Sequence, residues 1–398
     1  MEKLRCLYVS RYAPIRTQTD PYAGLPWYLS QQTLLTGIWN RPERGTVPFK
    51  AICQEVTEVT AGIKGWLNKV RQVWLKARET PKLDVVISGV DEHSLSLAVL
   101  AGKVAGVPVY AYAEDPPFTN RYDGFPSIAR RIERALRRKI ISLLLQRCSG
   151  VFCFVEKDAL RDFNIRSVPI HQMMNGPSLE ALTWFEERVD KTEGDRELVV
   201  GLVGVLSPGQ GLDNLLEIIV AARKRVKGLK LRLIGPMDPE YEEVFRGRTR
   251  GLGLDSMVEV TGWLPYTMML EKLCGCSFGV YCNPDTEWFR VAQPLKICEY
   301  LGLEKPVIAW DYPGTRRLLD HGRLGVLVPP HDLSAFANAV VQMSDPLCRE
   351  TIVLQIRKAL KERWSSEYWY QQVLEIFTNT TKGAKDGTRQ WNLRNPHS

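Results

Sequence analysis

Short, near-continuous apolar runs alternate with segments of helical period along this chain, and that pattern admits few folds. Leu4–Ser10, Leu83–Gly89, Val107–Ala113, Gly150–Val155 and Val168–Met174 make a first series. Leu198–Val205, Leu229–Gly235, Met257–Gly262, Phe278–Cys282, Pro306–Trp310 and Gly325–Val328 make a second. A strand with no polar face must be covered on both sides, so each series reads as a parallel sheet between helix layers. Right-handed crossovers make such sheets doubly wound α/β domains. Between the series, residues 177–196 are mostly polar, contain Pro177 and Gly194, and offer no strand. The chain has 398 residues, enough for two domains of ~100–200 residues each. The expected plan is a Rossmann-like domain over 1–180, a linker over 181–196 and a second Rossmann-like domain over 197–362. A helix over 363–378 is expected to return to the first domain, and a polar tail over 379–398 to fray. Ligands of such sheets bind at the carboxyl ends of strands, here in a cleft between the two domains.

Composition narrows the function classes. The chain is 44% hydrophobic and 25% charged, as a folded protein is, with a net charge of +8. That mild excess suits anionic ligands or headgroups without demanding nucleic acid, and no nucleic-acid module is recognisable. The nine cysteines include no Cys-x-x-Cys, and the five histidines stand at no ligand spacing to them. Reduced, buried thiols in a cytoplasmic protein are expected, without structural zinc. No run of ~18 apolar residues occurs, and the first residues lead into a strand rather than a signal peptide.

The most informative block is Asn283–Pro313 (NPDTEWFRVAQPLKICEYLGLEKPVIAWDYP). A strand ends, a loop carries Glu287 and Arg290, and Pro294 starts a helix with Leu295, Cys298 and Leu301 on its core face. The free N–H groups behind such a proline form an anion site. Lys296 and Glu299, three apart, share a face of that helix. An ammonium beside a phosphate and a carboxylate accepting from two sugar hydroxyls would suit a nucleotide diphosphate. A solvated Glu–Lys pair is the plain alternative.

With its companions, this block resembles the carboxyl-terminal half of glycosyltransferase family 4, the retaining glycosyltransferases of GT-B fold. The matching pieces are the turn Val200–Gly211, Leu233-Ile-Gly235-Pro236, Val260-Thr-Gly262-Trp263-Leu264, and Pro294-Leu-Lys296-Ile-Cys-Glu299-Tyr300 followed by Pro306-Val-Ile-Ala309. Gly325–Pro329 and a helix after Asp332 close the series, in order across 198–345. The Pro-x-Lys-x-x-Glu-Tyr form points to one subgroup. The amino-terminal half is looser, with Leu7–Pro14 and the Asn175-Gly176 turn as its family-like pieces. The resemblance implies that Glu299 binds the ribose hydroxyls and that the backbone at Gln293, Pro294 and Leu295 holds the diphosphate, beside Lys296. It places Gly235, Pro236, Trp263 and Leu264 around the base, and Gly204, Ser207 and Gln210 on the donor.

Three departures stand out. Val291 occupies a position that is acidic in many members, with Glu287 or Arg290 able to fill the space. The turn Ser207-Pro-Gly-Gln210 lacks the usual bases that neutralise the leaving diphosphate. Where a histidine often stands near the sugar, this chain has Glu114 and Asp115, which either orient a hydroxyl or make an ordinary Asp-Pro turn. Glu114, Asp115 and Arg290 are therefore the catalytic candidates. No Asp-x-Asp occurs, so neither metal nor cofactor is expected.

Two basic segments carry apolar stripes. One has Ile128, Ile132, Leu136 and Ile140 every four residues among six bases and one acid, Glu133; the other has Ile63, Trp66, Leu67, Val70 and Trp74 with Lys64, Lys69, Arg71, Lys76 and Arg78. Either the stripes pack on the first sheet or they lie on an anionic bilayer, where lipid-linked acceptors reside. The expected function is transfer of a sugar from a nucleotide-diphosphate sugar to a saccharide, lipid-linked or small-molecule hydroxyl, in polysaccharide or glycoconjugate biosynthesis. It would take place in the cytoplasm or on the inner face of the membrane. A sugar-nucleotide epimerase or hydrolase, and a catalytically weak nucleotide-sugar-binding scaffold, are the rival readings.

Overall fold

The structure is a computed structural model that describes residues 3–10, 24–40, 55–59, 63–79, 82–113, 128–163, 165, 167–188, 197–362 and 364–385. The amino lobe is built on strands β1 (Arg5–Val9), β2 (Leu34–Asn40), β3 (Glu55–Val59), β4 (Val85–Gly89), β5 (Val109–Ala113), β6 (Gly150–Cys153) and β7 (Ile170–Gln172). They pair in the order β3-β2-β1-β4-β5-β6-β7, all parallel. The carboxyl lobe has β8 (Leu198–Val203), β9 (Leu229–Ile234), β10 (Val258–Val260), β11 (Phe278–Tyr281), β12 (Val307–Trp310) and β13 (Gly325–Val328). Their order is β10-β9-β8-β11-β12-β13, again all parallel. Two doubly wound parallel-sheet lobes, the expected architecture, are present.

β2 and β3 are not expected from the sequence pattern. β2 is interrupted by Gly37, and β3 reads Glu-Val-Thr-Glu-Val at the sheet edge, so neither shows the unbroken apolar run of a central strand.

Each face of the amino sheet has its own core. One holds Leu7, Val9, Val86 and Ala111 against the helices Ile63–Arg78, Glu92–Ala105 and Ile128–Leu145. Asp91 caps the second of these helices, accepting from the His93 and Ser94 amides at 3.1 and 2.9 Å. The other face buries Cys6, Tyr8, Tyr110 and Phe152 under Leu25 and Leu29 and under Tyr370, Val373 and Phe377 of the carboxyl-terminal helix.

That last helix runs Ser366–Lys385, past the end expected at 378 and into the segment read as tail. Its extension has no apolar period. Tertiary contact holds it: Tyr110 of the first sheet meets Thr380 at 2.8 Å and Thr381 is buried, both threonine hydroxyls otherwise turning back to carbonyls of their own helix. Part of the segment read as linker is also helical. Leu179–Glu186 is capped by Ser178 and buries Ala181 in the carboxyl-lobe core.

Candidate functional site

In the carboxyl lobe the strand order reverses between β8 and β11, and the crevice at their carboxyl ends is where ligands of such sheets bind. The turn after β8 and the turn after β9 touch backbone to backbone there. Gly204 and Gly235 sit at φ +132° and +138°, and a Cβ on Gly235 would stand 2.0 Å from the Gly204 carbonyl oxygen. Gly262 is bridged to Gly235, so three glycine turns line one edge.

Facing them is the start of the helix Leu295–Gly302, with Pro294 at its N-cap and no side chain capping it. Pro294, Leu295 and Lys296 are half-buried, leaving this end open. The uncapped amides and the helix dipole favour an anion. The Lys296 ammonium donates to Gln210 Oε1 at 3.1 Å and lies 5.7 Å from the Tyr281 ring centre. A Cβ on Gly204 would sit 2.8 Å from Lys296 Nζ, so the glycine makes room for the cation. Gln210 is buried, and its Oε1 also accepts from Asn283 Nδ2 at 2.9 Å. Glu299, one turn along the same face, is 7% exposed. Val205 and Trp263, 64% and 62% exposed, form an apolar rim with exposed Pro236 and half-buried Leu264. Ser207 begins the 3-10 turn Pro208–Gln210 without a side-chain cap bond.

Gly204, Gly235, Gln210 and Lys296 are thus brought together. Two other residues singled out from the sequence carry side-chain bonds of their own. Gln293 is buried between the lobes: its Oε1 accepts from the Asn175 amide at 2.9 Å, its Nε2 donates to Met173 O at 3.2 Å, and its carbonyl accepts from Asn175 Nδ2 at 3.1 Å. Arg290 forks onto Asp285, with Nη2 at 2.8 Å from Oδ2. That bond holds the Asp285 carboxyl below its ordinary range, burial opposing it and His331 adding to it. Glu114 and Asp115 lie outside the described residues.

Residues that the sequence reading did not assign also contribute. Asn283 shares Gln210 with Lys296, and its only sequence signal is a polar residue directly after a strand. Glu156, just after β6, takes a two-pronged ion pair from Arg317 of the other lobe, with Nη2–Oε2 at 2.9 Å, and its amide donates to Val291 O at 2.8 Å. Cys282 is no nucleophile: burial pushes its thiol up to about 12, against the pull of Lys296. Among the described residues, no group of three or more His, Cys, Asp or Glu side chains is arranged to hold a metal ion.

Residues 197–345 match the family profile of the glycosyl transferases, group 1. The match covers the glycine turns, Lys296 and Glu299, and supports the family for the carboxyl lobe. An exopolysaccharide phosphotransferase of Streptomyces coelicolor is 27% identical over 46% of this chain and 19% of its own length. A phosphatidyl-myo-inositol mannosyltransferase of Mycobacterium leprae is 28% identical over 45% of this chain and 46% of its own. The chain therefore spans less than half the length of these curated relatives. The crystal structure of HepE from Anabaena in complex with UDP superposes with a TM-score of 0.72 at 17% identity, covering 94% of this chain and 100% of that one. With the group 1 domain in one of two parallel-sheet lobes, the fold is GT-B.

Proposed function

We propose that this protein is a retaining glycosyltransferase. In this reading it moves a sugar from a nucleotide-diphosphate sugar to the hydroxyl of a saccharide, lipid-linked or small-molecule acceptor. The observation that carries the reading is the open start of the Leu295–Gly302 helix, with Lys296 Nζ held beside the Gly204 turn and buried Glu299 one turn on. The diphosphate lies against the helix amides and Lys296, Glu299 accepts from the ribose hydroxyls, and the base lies by Trp263. Lys296 takes over the charge-neutralising task for which Ser207–Gln210 has no base. The acceptor binds the amino lobe, and the cleft excludes water so that transfer outruns hydrolysis. Chemistry of this kind gains from positioning and charge stabilisation, so the reaction is proposed without metal or cofactor.

A place in polysaccharide or glycoconjugate biosynthesis, and at the inner face of an anionic membrane, draws on the names of the two curated relatives, exopolysaccharide phosphotransferase and phosphatidyl-myo-inositol mannosyltransferase. Among the described residues no helix is long and apolar enough to cross a membrane, so association would be at the surface.

The test is a thermal-shift and calorimetric screen of nucleoside diphosphates, uridine first because HepE was solved with UDP. Ligand at ~100 times its Kd adds about 2.7 kcal/mol of stability. A binding nucleotide is then paired with its sugars and the products analysed for linkage and anomeric configuration. Stabilisation by none of them overturns the reading. Binding without product favours the scaffold alternative.

A further inference from the structure

Two helices of the amino lobe turn faces to solvent that are apolar and cationic at once. In the helix Ile128–Leu145, Ile141 and Leu145 point at the sheet and are 0% exposed. At 100° per residue, Ile132, Leu136, Ile140 and Leu143 lie roughly 180–260° round from Ile141. They are 57%, 59%, 47% and 51% exposed. The four-residue stripe legible in the sequence, from Ile132 to Ile140, therefore faces away from the core. Lys139 is exposed beside one edge of it, and exposed Glu133, paired with Arg137, borders the other. The helix Ile63–Arg78 behaves alike. Val73, Ala77 and the Lys69 stem point inward, while Leu67, Trp74 and Leu75 face solvent with Lys64, Arg71 and Arg78. It contains no acid. Both helices flank Glu92–Ala105 on the same side of the sheet, so their outer faces belong to one surface.

A second copy of this chain would bring like charge against these bases, and a neutral protein groove would leave the arginines unmatched. An anionic bilayer meets both demands: acyl chains for the stripe and headgroup phosphates for the bases flanking it. We propose that these two helices seat the amino lobe on an anionic lipid surface. In this seating Ile132, Leu136, Ile140 and Leu143 enter the acyl boundary, and Lys139, Lys64 and Arg71 lie at headgroup level. The inference builds on the membrane placement in the proposed function but is independent of donor binding.

The full chain is sedimented with vesicles of phosphatidylcholine alone and of phosphatidylcholine mixed with phosphatidylglycerol. Binding is expected to the mixed vesicles, weakening with salt. L136E/I140E is expected to lower the partition at least ~10-fold, since it removes buried apolar area and adds repulsion. R71E/K139E is expected to abolish the preference for anionic lipid. Circular dichroism and a thermal unfolding midpoint matching the wild type in both variants show that they fold. No sedimentation with either vesicle overturns the inference, as does undiminished binding by L136E/I140E. A wild-type dimer that L136E/I140E turns into a monomer also overturns it. Vesicle binding without any nucleotide shift would sink the donor reading alone.

Discussion

Glu299 and Lys296 share one short helix, and substitutions there test donor binding. Glu299→Ala is expected to weaken nucleotide-sugar binding by ~1–3 kcal/mol, the scale of a lost charge-assisted hydrogen bond. Calorimetric titration reads it directly, and an unaltered affinity removes the assignment. Gly204→Ala acts differently. A side chain at φ +132° is strained, and its Cβ would press on Lys296 Nζ at 2.8 Å. Denaturant titration should show a loss of ~1–3 kcal/mol together with weaker nucleotide binding. Glu299 and Lys296 were legible because a proline-led helix with a three-residue spacing is a local pattern. The attachment of Lys296 to Gln210 was not, because it joins residues 86 positions apart.

At the scale of elements, burial in apolar strands and helices controls the thiols. Cys6, Cys153 and Cys282 are pushed up to about 12 by desolvation, while Cys348 lies half-buried beside Asp345. Thiol labelling of the native protein at pH 8, read by mass spectrometry, should modify Cys348 well before these three. Equal rates would contradict the packing of β1, β6 and the turn after β11. The central strands were readable because each is buried on both faces. β2 and β3 were not, since an edge strand or one with an interior glycine looks like a loop in one dimension. The basic helix was readable as amphipathic, yet its period fits two rotations about its own axis.

At the scale of the whole molecule, the lobes are tied at Glu156–Arg317 and at Gln293 with Met173 and Asn175. Arg317→Ala leaves the 9%-exposed Glu156 side chain without its partner. The expected cost is on the order of 1–3 kcal/mol, below the ~3–5 for a fully buried pair because Arg317 is more than a third exposed. Small-angle scattering should also show a wider distribution of lobe separations, and an unchanged profile would mean that the pair does not hold the cleft. Acid acts through another group. His171 in β7 stacks on Phe152, and burial holds its pKa below the ordinary 6.5. Below that pH the unfolded chain binds a proton that the folded chain does not, so stability falls as pH drops. His171→Phe should flatten this loss between pH 7 and 5 in denaturant titrations, and an unchanged slope would assign it to other groups.

The sequence by itself determined the two parallel sheets, the central strands and the proline-led helix, because strand burial and helical spacing are written within a few consecutive residues. The tertiary structure alone decided which side of the Ile128–Leu145 helix meets the core, that Gln293 joins the lobes, and that Arg290 pairs with Asp285. Such choices depend on what stands opposite a side chain in space, and those neighbours come from elements remote along the chain.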